Sequence, residues 1–169
     1  DPTKYGSNAM QFDGTGDYLI GVDTVSNEFG TGDFTLEAWV NFNSVGNGQL
    51  ISAGDGNNAN AYYWQYYSGQ LQFGEQMVAS IAVSNWTPSS NQWYHLAVTR
   101  EGTSLKQFVD GTQLGSTVTN SSNFAAGPTW IGNGGAGYFN GYFDDVRITK
   151  GIARYTANFT PPSEALPKF

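Results

Sequence analysis

The chain has 169 residues, with 22 Gly, 5 Trp, 10 Tyr and 11 Phe, and only 12% of it is charged. That excludes an acidic disordered chain and a helical bundle, and leaves one β-rich domain large enough to build its own core. The net charge is -7, no Lys or Arg lies between Tyr5 and Thr99, and there is no Cys; nucleic acid, an anionic membrane surface, disulfides and thiolate zinc sites are therefore set aside, and no apolar run suits membrane insertion.

The elements predicted along the chain are short strands broken by Gly, Asn and Asp. In Phe34–Phe42, Phe34, Leu36, Ala38, Val40 and Phe42 share one face; Thr35, Glu37, Trp39 and Asn41 share the other. Next comes an oxygen-rich loop, Ala53 to Asn60, and then the run Tyr62-Tyr63-Trp64-Gln65-Tyr66-Tyr67. Ser68-Gly69 turns this run into Leu71–Phe73. Tyr94–Arg100 alternates again, Glu101-Gly102-Thr103 turns, and Lys106–Val109 meets the hairpin signal Asp110-Gly111. Trp130-Ile131-Gly132 and Tyr142–Thr149 supply the last strands, and a Pro-rich tail follows. No stretch reads as a long amphipathic helix. About 12 strands cannot stay in one open sheet, so two packed sheets are expected. The expected division is a domain over residues 1–150, with 151–169 as a turn and an extended strap or linker.

The order of several blocks resembles a known family. These are Ala9-Met10-Gln11-Phe12-Asp13-Gly14, Asp17-Tyr18-Leu19, Phe34–Val40, Trp93–Arg100, Phe108-Val109-Asp110-Gly111 and Phe139–Ile148. The chain resembles the laminin-G-like jelly-roll domains of the concanavalin A-like lectin/glucanase superfamily across residues 8–150. Its ending, Gly151–Pro162, is similar to endings of such domains in tailed-phage virion proteins. The resemblance implies an all-β, antiparallel two-sheet jelly-roll sandwich, often calcium-bearing. It also implies a glycan- or protein-binding module on an extracellular or virion surface.

Catalysis is not expected. A glycosidase needs two facing carboxylates, and Glu28, Glu37, Glu75, Glu101 and Glu164, the five Glu, share no strand face. His95 is the lone histidine and reads as a structural imidazole inside a strand. Gly132–Gly137 lacks the Lys and helix of a phosphate loop and reads as a surface loop.

The expected sugar site uses Tyr62, Trp64 and Tyr66 as stacking platforms, because one face of an aromatic ladder must remain outside the core. Asp55, Asn57 and Asn58 in the adjacent loop would meet sugar hydroxyls. A structural Ca²⁺ is expected between Asp17 and Asp144, at positions that match the family, if the first and last strands bring them together. The partners expected are glycans or a glycosylated cell surface. The alternative is a decoration domain that assembles with itself or with a neighbouring virion or surface protein.

Overall fold

Alternating apolar and polar side chains, with β-branched and aromatic types prominent, form twelve strands in a computed structural model that describes residues 3–22 and 28–167. They are β1 (Met10–Asp13), β2 (Leu19–Ile20), β3 (Phe34–Phe42), β4 (Gly48–Ala53), β5 (Tyr62–Tyr67) and β6 (Gln70–Glu75). The remainder are β7 (Ala79–Asn85), β8 (Trp93–Glu101), β9 (Ser104–Val109), β10 (Thr112–Thr119), β11 (Thr129–Ile131) and β12 (Asn140–Lys150). Sheet A runs β1-β12-β3-β8-β9-β10, and sheet B runs β2-β11-β4-β5-β6-β7. Every pairing is antiparallel. The architecture is the expected two-sheet jelly-roll sandwich.

Turn chemistry sets the hairpin registers. Ser68 and Gly69 have φ of 52° and 78°, and Asp110 and Gly111 have 48° and 76°. Two successive positive φ values make a tight turn whose twist matches the strands it joins. The β5–β6 hairpin accordingly pairs Tyr67 with Gln70 and Trp64 with Phe73.

The core lies between the sheets. Phe34, Leu36, Val40 and Phe42 from β3 meet Tyr62, Trp64, Leu71 and Phe73 from sheet B, all buried. Each large side chain withdrawn from water contributes about 1.5–3 kcal/mol. Two polar groups cross this interior with their bonds satisfied. Trp64 Nε1 donates to Gln107 Oε1 at 3.3 Å, and Gln107 Nε2 donates to the carbonyls of Leu71 and Ala82. Arg100, fully buried, directs its donors at the carbonyls of Gly30, Gly32 and Ser122 and at Asn120 Oδ1. Its guanidinium also lies over the rings of Phe34 and Phe124. Carbonyl dipoles and ring faces thus surround a buried cation.

β3 is buried on both faces, although its sequence alternates like a half-exposed strand. Residues 151–167 explain this, because they fold back over the outer face of sheet A. Thr35 and Thr99 hydroxyls donate to the carbonyls of Ile152 and Tyr155, and Lys106 Nζ donates to that of Thr156. Tyr155 and Phe159 stack at 3.6 Å between centroids, and Phe159 packs on His95 and Phe108. The segment then returns toward β12, where Tyr5 donates its hydroxyl proton to Pro162 O and Leu166 N–H donates to Asp145 Oδ2. Of the expected tail, Lys168 and Phe169 lie outside the described residues.

Beneath this strap Glu37 is completely buried. Its carboxylate accepts hydrogen bonds from His95 Nε2 (3.2 Å), Tyr155 Oη (2.7 Å) and Arg147 Nε (2.7 Å). Because a carboxylate only accepts, His95 carries its proton on Nε2. Burial acts to raise the Glu37 pKa, but the bonds from His95 and Tyr155 and the charge of Arg147 outweigh it and hold it below the usual value. The same environment, burial first and then the carboxylate beside it, pushes the Tyr155 phenol up.

Candidate functional site

With sheet A covered, sheet B carries the free face. Its outward residues fall in rows across the strands: Gln49, Gln65, Gln72 and Val83 in one, Trp130, Ser52, Tyr63 and Gly74 in the next. The sequence places small groups where Tyr63 needs room. A Cβ on Gly74 would come within 2.5 Å of the Tyr63 ring and hydroxyl, and the Tyr63 hydroxyl bonds Ser80 Oγ at 2.6 Å. A side chain that starts on β5 and is fastened at β7 must lie along the sheet over Gly74. Its phenol end rests over Gly74 of β6, and the side chain is half-buried.

That ring lines a groove of about 230 Å³ together with Gln49, Gln65, Gln76 and Met77. Gly56 and Gly135, from loops that approach closely, complete its rim. None of the lining residues is charged. Gln49 occupies the inner wall because a register shift between Gln49 and Ile51 lets it face outward while Ile51 faces the core. Its Nε2 donates to Trp64 O at 3.0 Å and to Ile51 O at 3.4 Å. Two carbonyl partners fix which end of this amide is nitrogen. Its Oε1 is buried without a hydrogen-bond partner. Gln76 turns its Nε2 onto the carbonyls of Ala53, Gly54 and Tyr62 and accepts from Asn58 N–H with Oε1. Gln65 donates to Gln72, which donates to Gln70, which donates to Asn85, forming an amide chain across the sheet.

A jelly-roll with one strapped face and one open face is the setting for the family match. The model of a laminin G family of the concanavalin A-like lectin/glucanase superfamily matches residues 13–153. The chain belongs to that family. No curated protein matches it. Among solved structures, this laminin G-type domain is similar to mouse laminin α1 chain domains LG4-5, with a TM-score of 0.65 and 15% identity. The likeness covers 92% of this chain and 44% of that one, so the chain spans less than half of its length. It is also similar to domain 4 of AbnA, a GH43 extracellular arabinanase from Geobacillus stearothermophilus, in complex with arabinotriose. There the TM-score is 0.61, identity is 17%, and coverage is 89% of this chain and 79% of that one. A third likeness is to the carbohydrate-binding module CBM66 from Bacillus subtilis, with a TM-score of 0.51, 20% identity, and coverage of 82% and 97%. At these identities the likenesses concern the fold.

The structure reverses the expected use of the aromatic ladder. In this laminin G-type domain Tyr62, Trp64 and Tyr66 are buried at 0%, 0% and 4% exposure, so they cannot stack on a ligand. Tyr62 stacks on Phe29 and Phe73, Trp64 sits opposite Phe73, and Tyr66 packs on Phe42 and Trp86. The physical reason is that β5 is an interior strand of sheet B and its largest ring fills the centre of the sandwich. The opposite set, Tyr63, Gln65 and Tyr67, faces outward.

The 53–60 loop does flank the groove, but Gly56 forms its wall. Asp55 is exposed and accepts from Asn57 N–H, which lowers its pKa. Asn57 is exposed, and Asn58 braces the loop by donating its N–H to Gln76.

Asp17 and Asp144 are not brought together. β1 and β12 are neighbours as expected, but Asp13 pairs with Asn140 and Met10 with Phe143. Asp17 accepts from Asp13 N–H at one end of this pair, while Asp144 accepts from the N–H groups of Lys4 and Tyr5 at the other. Four steps along the strand take Asn140 to Asp144, about 13 Å. Among the described residues no three acidic, His or Cys side chains form a cation-holding group. The expected pair does not fit a shared Ca²⁺.

The groove residues outside the expected sugar site are Gln49, Tyr63, Gln65, Gln76, Met77 and Gly135. The odd-numbered face of Tyr62–Tyr67 signals two of them. Nothing local signals Gln49, whose direction depends on the bulge.

Proposed function

We propose that this domain is a non-catalytic carbohydrate-binding module, displayed outside the cell or on a virion, that takes a sugar residue in the Tyr63 groove. The observation that carries the reading is the half-buried Tyr63 ring, fixed at its phenol end by Gly74 and Ser80 and lining an uncharged, amide-rich groove. Sugar rings stack their C–H faces on such a surface, and preorganisation of the ring removes most of the entropy cost of using it. The printed descriptions of two fold relatives, a domain in complex with arabinotriose and a carbohydrate-binding module, support the reading. The test is a broad glycan array followed by calorimetry. Binding is expected for the native domain and a loss of at least about tenfold for Tyr63→Ala, whose melting temperature should stay close to native. An array with no hits defeats the reading.

A second reading, contact with a neighbouring protein, draws on β2. Leu19 and Ile20 are exposed there beside Tyr18, which stacks on Trp130 at 5.0 Å. It predicts concentration-dependent sedimentation that Ile20→Lys abolishes.

A further inference from the structure

We infer that two copies of this domain pair through the free edge of β7, joining their B sheets into one continuous sheet. The contact is independent of what the Tyr63 groove binds.

β7 ends sheet B and pairs only with β6. One bond fixes which of its main-chain groups are taken. Trp86 N–H donates to Gly69 O at 3.0 Å, and the register continues through Gln70 with Asn85, Leu71 with Ser84, Gln72 with Val83 and Phe73 with Ala82. Antiparallel pairs alternate between bonded and unbonded. Ala82 and Ser84 therefore turn their N–H and C=O groups to β6, while Val83 and Asn85 turn theirs to the free edge. The register shifts beyond Ala82, which confines regular pairing to residues 82–85. A twofold axis at Ser84 sets Val83 of each copy opposite Asn85 of the other, and each pair then exchanges both of its main-chain bonds.

The space for a second strand is present. A groove of about 500 Å³ runs along this edge, between Val83 and Asn85 on one side and Gly115 and Ser116 of β10 on the other. It exists because β10 leaves its ladder with β9 between Leu114 and Val118. What β10 places beside the edge is small. A Cβ on Gly115 would collide with Ser84 Oγ, which donates to Leu114 O at 3.4 Å. Only glycine and serine side chains thus lie near the axis.

Charge selects a second copy as the occupant. The chain carries a net charge of -7, so two copies repel wherever their acids face each other. No Asp, Glu, Lys, Arg or His occurs from Gln76 to Tyr94 or from Gly111 to Phe143, the stretches that hold β7 and β10. The opposite edges differ: β1 ends on Asp13, and Asp17 lies just before β2. Lys and Pro, the usual blunting residues of an exposed edge, are absent from β7. A basic partner drawn to this acidic protein would find no carboxylate on these walls. In the paired form the two β5 strands stand five strand spacings apart, about 24 Å. Both Tyr63 grooves open on the same side, so they meet a surface together.

The experiment is sedimentation equilibrium of the intact domain from micromolar to submillimolar concentration. A monomer–dimer equilibrium without larger species is expected, because a twofold contact closes on itself. It should tighten as salt screens the net charge. Hydrogen exchange at Val83 and Asn85 N–H should slow at least about tenfold from dilute to concentrated protein, while Ala82 and Ser84 stay protected throughout. Val83→Pro removes an N–H from the free edge only and should give a monomer. Val83→Lys, which leaves the main chain intact, should do the same and decides the matter if the proline variant fails to fold. Ile20→Lys should leave the dimer unchanged, which separates this contact from one through β2. A monomer at every concentration overturns the inference. So does a dimer that survives Val83→Lys, or one in which the Val83 and Asn85 amides exchange as fast as in the monomer.

Discussion

Buried polar side chains decide much of this molecule's behaviour, and each does so through the bonds it completes. Arg100 has no carboxylate against it, yet every direction of its guanidinium meets an acceptor. Lysine has one nitrogen and cannot reach the same set. Arg100→Lys should therefore lower stability by about 3 kcal/mol in denaturant unfolding, although it conserves charge. Glu37 supplies a pH dependence. Its folded pKa lies below the ordinary value of 4.5, so its stabilisation is present above that value and is lost as pH falls through the folded pKa. The melting temperature should decline as pH is lowered from about 5 to 3. Glu37→Gln should start lower at neutral pH and decline less over that interval, because the titrating group is gone.

At the scale of elements, β5 shows what alternation conveys and what it leaves open. Period-two spacing separates Tyr62, Trp64 and Tyr66 from Tyr63, Gln65 and Tyr67, but both sets are aromatic, and hydropathy does not say which one faces the core. Volume decides. Trp64 fits the centre of the sandwich and finds Gln107 for its indole N–H, whereas Tyr63 needs Gly74 beside it and a partner for its hydroxyl. A glycine one strand away marks the outward ring, and that pairing is visible only once the register is known. The hairpins at Ser68-Gly69 and Asp110-Gly111 were legible because their geometry is local. The outward turn of Gln49 was not, because it follows from a bulge. The separation of Asp17 from Asp144 follows from pairing register, which the adjacency of the first and last strands does not determine. Any change in melting temperature on adding or chelating Ca²⁺ should consequently persist in Asp17→Asn, because Asp17 and Asp144 do not share an ion. Gly111 gives a further test at this scale. A Cβ there would collide with the Phe159 carbonyl, and its φ is 76°. Gly111→Ala should loosen the strap, seen as faster hydrogen exchange at Phe159 N–H, which donates to Gly111 O, before global stability is lost.

The whole molecule is asymmetric in a way that composition does not reveal. Two sheets of six strands each would ordinarily offer two outer faces. One is closed by residues 151–167, which a pattern of Pro, Asn and Thr marks only as irregular; where they dock depends on long-range contacts with Thr35, Thr99 and Gly111. Fold class was readable from strand spacing and turn residues, since these recur along the chain. The groove was readable in neighbourhood, through the 53–60 loop and the Tyr62–Tyr67 run, and not in its members.

The strap also sets an orientation. Residues 3–8 and 161–167 lie together at the β12 side of sheet A, joined through Tyr5 with Pro162 and through Asp144 and Asp145 with Lys4, Tyr5 and Leu166. The groove opens on the opposite outer face. A tether, resin or fused neighbour attached through either terminal segment would thus leave the mouth of the groove pointing away from the support. Copies arrayed on a bead would present their mouths as a single outward layer, with no anchoring chain crossing a neighbour's opening.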